Sequence, residues 1–227
     1  MRTKKEVLQL LEEEDIKFIR LQFTDMFGNL KNIAVTESQL DRVLDNRFTL
    51  SSKALFGEEV YYQDDLYLRP DLDSFVILPW RPQHGKVARF LCDIYKEDGT
   101  PFEMSSRTIL KNVIQSAEEK GYTFYVDPDC EFFLFHTDEN GVPTTVSHER
   151  AGYMDVGPMD YGENPRRDIV LALEEMGFEV ESSHHEKSPA QHEIDFKYDN
   201  ALATADNIMT FKMAVKTVAK RHGLHAT

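Results

Sequence analysis

The sequence is poor in cysteine, in long apolar runs and in positive charge, and each shortage excludes a class of protein. Its 227 residues include only Cys92 and Cys130, which excludes a disulfide framework and favours a reducing compartment, so a cytoplasmic location is expected. No apolar run approaches the roughly 20 residues that span a bilayer, and no signal-peptide core follows Met1. Lysine and arginine number 26 against 40 aspartates and glutamates, and the net charge of −14 argues against nucleic-acid and anionic-membrane binding.

The pattern of helices and strands changes near residue 100, which indicates two α+β domains. Charged residues at 29% and hydrophobic residues at 41% describe an ordinary globular chain. We predict one domain over residues 1–102 with a mainly antiparallel sheet, and a second over residues 103–227 with helices and another antiparallel sheet.

Hydrophobic periodicity and turn residues locate the individual elements. Helices are expected at residues 4–14, 37–44, 106–120, 163–176 and 205–222. Strands are expected at residues 16–23, 30–35, 67–70, 75–78, 86–95, 124–126, 131–136, 178–182 and 191–196. In the helix at 106–120, one apolar face is predicted from the spacing of Ile109, Leu110, Val113, Ile114 and Ala117.

Acids and histidines are concentrated in two short stretches of the second domain. Residues 181–193 hold three carboxylates and three imidazoles, and Asp129 and Glu131 lie two residues apart upstream. On a strand, such residues point to one side, with Cys130 on the other. Like charges so close raise one another's pKa unless a cation lies between them, and carboxylate oxygens suit Mg²⁺ or Mn²⁺. The alternative to a metal site is a pair of solvated acids and a set of ordinary histidines.

Several longer motifs, in a fixed order, resemble one known family. They are Arg20-Leu-Gln-Phe-Thr-Asp-Met-Phe-Gly28, Pro70-Asp-Leu-Asp-Ser-Phe-Val-Ile77, Glu131-Phe-Phe-Leu-Phe135, Gly162-Glu-Asn-Pro-Arg-Arg-Asp168, His184-His-Glu186 and Gln191-His-Glu-Ile-Asp-Phe-Lys197. Across essentially all of its length, the chain resembles the N-terminal portion of type I glutamine synthetase. A resemblance carried by several long motifs in order is far more specific than a single short pattern.

The resemblance implies a fold, a reaction and an assembly. A β-grasp domain would occupy residues 1–102, and residues 103–227 would be the first part of an antiparallel-sheet catalytic domain. The reaction would be ATP-dependent ligation, in which glutamate is phosphorylated on its side-chain carboxylate and ammonia displaces the phosphate. Two face-to-face hexameric rings, a dodecamer, would hold active sites between neighbouring subunits. Because the family's strand that opens at His225 continues beyond this chain, we expect a truncated catalytic domain that is inactive by itself.

The resemblance also implies roles for the acids. Glu131, Glu186 and Glu193 would hold one Mg²⁺ or Mn²⁺ ion, and Asp129 would contribute to a second. The metals would neutralise charge that develops during phosphoryl transfer. The family usually has Glu where this chain has Asp129, and the shorter side chain could shift the metal or admit a water molecule.

Three further residues match the family by position. Glu181 corresponds to an acid near the nucleotide, Tyr198 to an aromatic residue near the ATP site, and Tyr153 to a tyrosine near the ammonium pocket. The alternatives are a solvated strand end for Glu181 and core or rim aromatics for the tyrosines. Ala190 replaces a family glycine, a minor change unless its φ is positive.

The loop after Asn46 departs most from the family. In the family, an aspartate in this loop binds ammonium and helps remove a proton from it, and a glycine follows the aspartate. When the sequence is counted without gaps, Ser51 stands at the position of that aspartate and Ser52 at the position of that glycine. A carboxylate attracts NH₄⁺ and can accept a proton, whereas serine does neither well at pH 7. A local offset would place Thr49 and Leu50 there instead, still without an acid, and Glu58 or Glu59 would then be the substitute.

Three functional interpretations follow. The first is glutamine synthetase with an altered ammonium loop. The second is a γ-glutamyl ligase that uses a larger amine and needs no aspartate at position 51. The third is a catalytically weak paralogue that acts through binding or regulation. The close agreement of the long motifs with the family sequences favours the first interpretation.

Overall fold

The computed structural model describes residues 2–57, 65–81 and 84–227. In the first part of the chain, the helices are α1 (Lys4–Glu13), α2 (Leu40–Leu44), α3 (Lys53–Phe56) and α4 (Ser106–Glu118), and the strands are β1 (Ile16–Thr24), β2 (Leu30–Thr36), β3 (Phe48–Leu50), β4 (Leu66–Pro70), β5 (Val76–Ile77) and β6 (Lys86–Tyr95). In the second part, the strands are β7 (Tyr125–Val126), β8 (Glu131–His136), β9 (Val180–His185), β10 (Gln191–Phe196), β11 (Asp199–Asn200) and β12 (Leu224–Ala226), and the helices are α5 (Glu163–Glu175) and α6 (Ala201–Arg221).

Two compact units, Met1–Thr123 and Phe124–Thr227, make up the chain. The division lies after α4, whereas the sequence places the domain boundary before it, between residues 102 and 103. The reason lies in α4 itself, because Arg107 and Lys111 donate to the carboxylate of Asp93 on β6 at 2.6 and 2.5 Å. Arg107 also donates to Asp71 at 2.7 Å. These ion pairs hold α4 on the first unit.

The first unit is built on a mixed sheet in the order β2-β1-β6-β4-β3, with β5 also paired to β6. The central pair, β1 and β6, is parallel, and the other pairs are antiparallel, as the prediction of a mainly antiparallel sheet requires. Leu21 and Phe90, which face each other across that central pair, are fully buried. Val7 of α1 and Val43 of α2 pack into the same core. Burying such side chains contributes roughly 1.5–3 kcal/mol each.

The second unit is built on an antiparallel sheet in the order β12-β8-β10-β9. One face of this sheet is mostly apolar and lies against the helices, with Phe211 of α6 in ring contact with Phe132 of β8 and Phe196 of β10. Ile194, which lies two residues before Phe196 on the same face of β10, is fully buried. The other face carries most of the acids. The predicted α+β fold class is therefore confirmed in both units.

Some elements differ from the sequence prediction. β3, α3 and β11 were not predicted, because two to four residues are too few to show a period. In α4, Ile109 and Val113 are 51% and 61% exposed, so the predicted apolar face is only partly buried within its own unit. Both cysteines are free and buried, as the absence of a disulfide framework predicts. Among the described residues, no helix combines the length and apolarity that a membrane crossing requires.

Candidate metal centre

A tight turn between β9 and β10 returns the chain so that two predicted metal ligands meet. The Glu186 N–H donates to the Gln191 carbonyl at 2.7 Å, and the Gln191 N–H donates to the Ser188 carbonyl at 3.0 Å. Ala190 in this turn has a φ of 63°. The family glycine at this position is thus replaced where the backbone is left-handed, and the substitution is not minor.

Strand register then sets the third carboxylate beside them. Glu193 on the central strand β10 lies opposite Glu131 on β8 and opposite His184 on β9. Side chains opposite one another in an antiparallel pair lie on one face, with Cβ atoms about 5 Å apart. The ligand atoms of Glu131, Glu186 and Glu193 accordingly lie within 4.8 Å of one another. The structure therefore brings together the three acids that the resemblance assigns to one metal, and we call them the carboxylate cluster.

The electrostatics of the carboxylate cluster favour a cation. Burial, the neighbouring Asp195 and the carboxyls of Glu186 and Glu131 raise the pKa of Glu193 to about 7. Glu131 accepts a short hydrogen bond from the Gln191 side-chain amide, which orients it toward the others. Three converging carboxylates of this kind supply the oxygen ligands that Mg²⁺ and Mn²⁺ prefer, and a divalent ion would remove their mutual repulsion. The donor set therefore fits the metal that the sequence predicts.

Asp129 lies outside the carboxylate cluster. It precedes β8 and is exposed, Cys130 is buried, and Glu131 is exposed again. This alternation agrees with the prediction that the two acids point to one side and the thiol to the other. Burial and the acids around it raise the pKa of the Cys130 thiol to about 11, so this thiol keeps its proton at neutral pH in the metal-free chain.

His184 is a site residue that the sequence analysis left unassigned. Its Nδ1 lies 3.8 Å from Glu186 Oε1, and its Nε2 lies 3.7 Å from Glu193 Oε2. With Glu193 and Asp195 it forms a second set of potential ligands, and Asp195 is held by the Ser182 hydroxyl at 2.5 Å. The signal available in the sequence was the i, i+2 spacing of His184 and Glu186.

Tyr153, which is predicted near the ammonium pocket, contacts His184 beside the carboxylate cluster. Its ring packs edge-on against His184 with centroids 5.5 Å apart. The Lys187 ammonium lies 5.6 Å from the centre of the same ring, a cation–π distance. The face of Tyr153 can therefore hold a cationic group beside the carboxylates.

Glu181 and Tyr198, the predicted nucleotide-site residues, are both exposed on the second unit. Tyr198 packs edge-on against Tyr125 at 5.9 Å. The pKa of Lys197 is raised mainly by its hydrogen bond to Glu179 and, more weakly, by Tyr198 and Glu181. Both residues thus act on one lysine, but neither belongs to the carboxylate cluster.

Ser51 lies in the first unit, at the turn from β3 into α3. It is exposed, and its carbonyl accepts the Ala54 N–H at 3.0 Å. Thr49, the residue of the offset alternative, is exposed as well, while Leu50 is buried. Glu58 and Glu59, the substitute acids, lie outside the described residues.

Comparison with known proteins identifies the family to which each part of the chain is similar. Residues 15–97 match the model of the glutamine synthetase beta-Grasp domain, and residues 103–227 match the model of the glutamine synthetase catalytic domain. The two matches meet near the predicted boundary at residues 102–103, before α4.

Individual relatives agree with these matches. The chain is 59% identical over 225 residues to a glutamine synthetase of Clostridium saccharobutylicum, and 52% identical over 226 residues to one of Staphylococcus aureus (strain N315). Each match covers 99% of this chain and 51% of the relative. A GmaS/ADP complex in its conformation 1 superimposes with a TM-score of 0.85 at 28% identity, covering 97% of this chain and 50% of that one. The chain thus spans about half the length of the relatives that it matches.

Proposed function

Because this chain belongs to the glutamine synthetase family, we propose that it contributes the metal-binding half of an active site that ligates ammonia to glutamate at the expense of ATP. The single observation that supports the proposal most directly is the convergence of Glu131, Glu186 and Glu193 within 4.8 Å on one face of the second unit. The reaction would proceed by phosphorylation of the glutamate side chain and displacement of phosphate by ammonia.

The residues of this chain would have separate roles in binding metal ions, according to their positions. Glu131, Glu186 and Glu193 would hold one Mg²⁺ or Mn²⁺ ion, and Asp129 would contribute to another. When bound, these ions supply charge neutralisation for the transferring phosphoryl group. The turn at Ala190 would keep Glu186 and Glu193 in place before substrate arrives, and such preorganisation is what lowers the barrier.

Two further roles rest on residues outside the carboxylate cluster. Glu181 and Tyr198 would border the ATP site, as the resemblance implies, and both are exposed on the second unit. Tyr153 would border the ammonium pocket, because its ring lies between His184 and a lysine ammonium. The complete protein would form a dodecamer in the cytoplasm with active sites between subunits. The 227-residue chain by itself is expected to be inactive.

The test is amine-dependent phosphate release by the full-length protein with ATP and glutamate. Glu186→Ala should abolish turnover, since removing one ligand of a preorganised site costs orders of magnitude in rate. Glu175→Gln, which changes an exposed residue at the end of α5, is the matched control and should leave turnover unchanged. Full activity of Glu186→Ala would show that the carboxylate cluster is not the catalytic metal site.

A second candidate function, ligation of a larger amine, is favoured by Ser51. Without a carboxylate at this position, the pocket loses its charge attraction for NH₄⁺, and an uncharged rim tolerates a bulkier nucleophile. Comparing ammonium with methylamine and ethylamine in the same assay separates the two. Absence of turnover with every amine, despite Mn²⁺ binding, would instead support the paralogue with a binding or regulatory role.

A further inference from the structure

Beneath the acid-bearing face of the second sheet lies a buried polar layer. It consists of Glu149, Asp160, Arg166, His185 and His192, all of them buried. Polar side chains in such a place cost several kcal/mol unless they are paired, so their contacts indicate what they hold. None of the roles above uses them.

One half of the buried polar layer holds the side chain of His192, on β10. Arg166 Nη1 donates to Asp160 Oδ2 at 2.7 Å and lies 2.9 Å from His192 Nδ1. Since arginine can only donate, Nδ1 is the acceptor, and His192 is neutral with its proton on Nε2. Burial and Arg166 lower the pKa of His192 to about 3, in agreement. A methyl group on Gly162 would lie 2.2 Å from the imidazole, so the ring is packed directly against bare backbone.

This protonation state excludes one interpretation of the layer. Ligand atoms of Glu149, Asp160, His185 and His192 lie within 4.8 Å of one another, as in a metal site. A nitrogen that carries a proton cannot ligate a metal, and the other nitrogen of His192 already faces Arg166. The four residues together therefore cannot form a metal site, and Asp160, Arg166 and His192 form an internal hydrogen-bond network.

The other half of the layer reaches the carboxylate cluster. Glu149 Oε1 accepts the Tyr161 N–H at 2.6 Å, and Glu149 Oε2 lies 3.2 Å from His185 Nε2. His185 Nδ1 lies 2.6 Å from the carbonyl oxygen of Glu186. A carbonyl oxygen can only accept, so Nδ1 carries a proton and donates to it. Nε2 faces a carboxylate, so it can donate to Glu149 only when it carries a proton as well.

His185 also anchors the neighbouring loop through its own main chain. Its carbonyl accepts the Met154 N–H at 2.9 Å, which ties the segment carrying Tyr153 to the end of β9. One buried imidazole thus connects a carboxylate below the sheet to the peptide of Glu186 and to the loop beside it.

We propose that His185 is a positioning residue for Glu186, held in orientation by Glu149. The Nδ1–H bond fixes the peptide that follows Glu186, and this limits where the Glu186 carboxylate can point. The proposal rests on the assignment of the carboxylate cluster as a metal site. Outer partners that orient metal ligands typically contribute 10–100-fold to metal affinity.

The test compares two polar substitutions that keep different halves of the imidazole. The side-chain amide of His185→Asn stands where Nδ1 stands and can still donate to the Glu186 carbonyl. The longer amide of His185→Gln stands where Nε2 stands, facing Glu149, and loses that bond. Mn²⁺ affinity of the full-length protein is measured by paramagnetic resonance and calorimetry, and thermal unfolding in EDTA is recorded for each variant.

We expect the Gln variant to bind Mn²⁺ about tenfold more weakly and the Asn variant to stay within about threefold of the parent. A purely structural role would lower the unfolding temperature of both without separating their Mn²⁺ affinities. Asp168→Asn is the matched control, because it breaks another carboxylate–imidazole pair, with His222 at 2.9 Å, in the same unit. It should not change Mn²⁺ binding.

Other outcomes distinguish this proposal from the metal assignment beneath it. If Glu131→Gln with Glu193→Gln leaves Mn²⁺ binding intact, the carboxylate cluster is not the metal site, and both proposals fail. If that double variant loses Mn²⁺ but His185→Gln, folded, binds like the parent, only the positioning role is overturned. Should His185→Gln not fold, Glu149→Asp replaces it. The shorter aspartate side chain places its carboxylate farther from His185 Nε2, so we expect severalfold weaker Mn²⁺ binding. Unchanged Mn²⁺ binding would overturn the proposal.

Discussion

Glu193→Gln should make the metal-free protein more stable at alkaline pH, although it removes a residue of the candidate site. In the folded chain, burial and the acids around Glu193 raise its pKa from the model-peptide value of 4.5 to about 7. At about 1.4 kcal/mol per pKa unit, this difference corresponds to a penalty of about 3 kcal/mol once the carboxyl is ionised. The glutamine variant keeps the size of the side chain and avoids that penalty.

The sign of the pH dependence follows from proton binding. Below pH 4.5, Glu193 is protonated in both the folded and the unfolded chain, and the substitution changes little. Between pH 4.5 and about 7, the unfolded chain releases its proton first, so the parent loses stability as the pH rises. Above pH 7 the full penalty is present. The gain from Glu193→Gln should therefore be near zero at pH 4.5 and up to about 3 kcal/mol at pH 8.

The assay is urea unfolding of parent and variant in EDTA at both pH values. Titrating groups outside the carboxylate cluster and Asp195 affect both proteins alike, so the difference between them reports Glu193 together with the acids that it contacts. In saturating Mn²⁺ the order should reverse, because ligand binding stabilises the parent by mass action and the variant lacks one ligand. Exposed Glu175→Gln should show no pH-dependent difference. A Glu193→Gln protein that is less stable than the parent at pH 8 in EDTA would refute the crowded-carboxylate explanation.

Three further predictions test other parts of the molecule. Ala190 has a φ of 63°, so Ala190→Gly should be neutral or raise the free energy of unfolding by up to about 1 kcal/mol, whereas Ala190→Val should lower it by more than about 2 kcal/mol in the same urea assay. His192 stays neutral down to about pH 3 in the folded chain, so its own contribution to stability should fall by about 2 kcal/mol between pH 6.5 and 5, and His192→Gln should remove that contribution from the pH dependence of the parent. In the full-length protein, Ser51→Asp with Ser52→Gly should lower the KM for ammonium and leave the KM for ATP little changed. If the parent already uses ammonium at low concentration and the double variant is no better, Ser51 is not at the site of the missing acid.

Local pattern was enough to find the strands that carry the site. Alternation predicted that Glu131 and Cys130 point to opposite sides, and the bounds of β8 and β10 agree with the prediction. The same method failed for α4, where the period of Ile109 and Val113 is helical but these side chains are exposed. A period reports which side chains share a face, and it cannot report whether anything covers that face.

Neighbouring residues and their chemistry were enough to predict most helices and strands, the α+β class and the acidic character, and the family resemblance supplied the candidate ligands. Only the folded structure shows that Glu193 lies opposite both Glu131 and His184, because register between strands distant in the chain is set by packing of the whole sheet. It also decided that His184 faces the carboxylates while His185 lies beneath them. Adjacent residues on a strand point to opposite sides, and only the packed helices determine which side is buried.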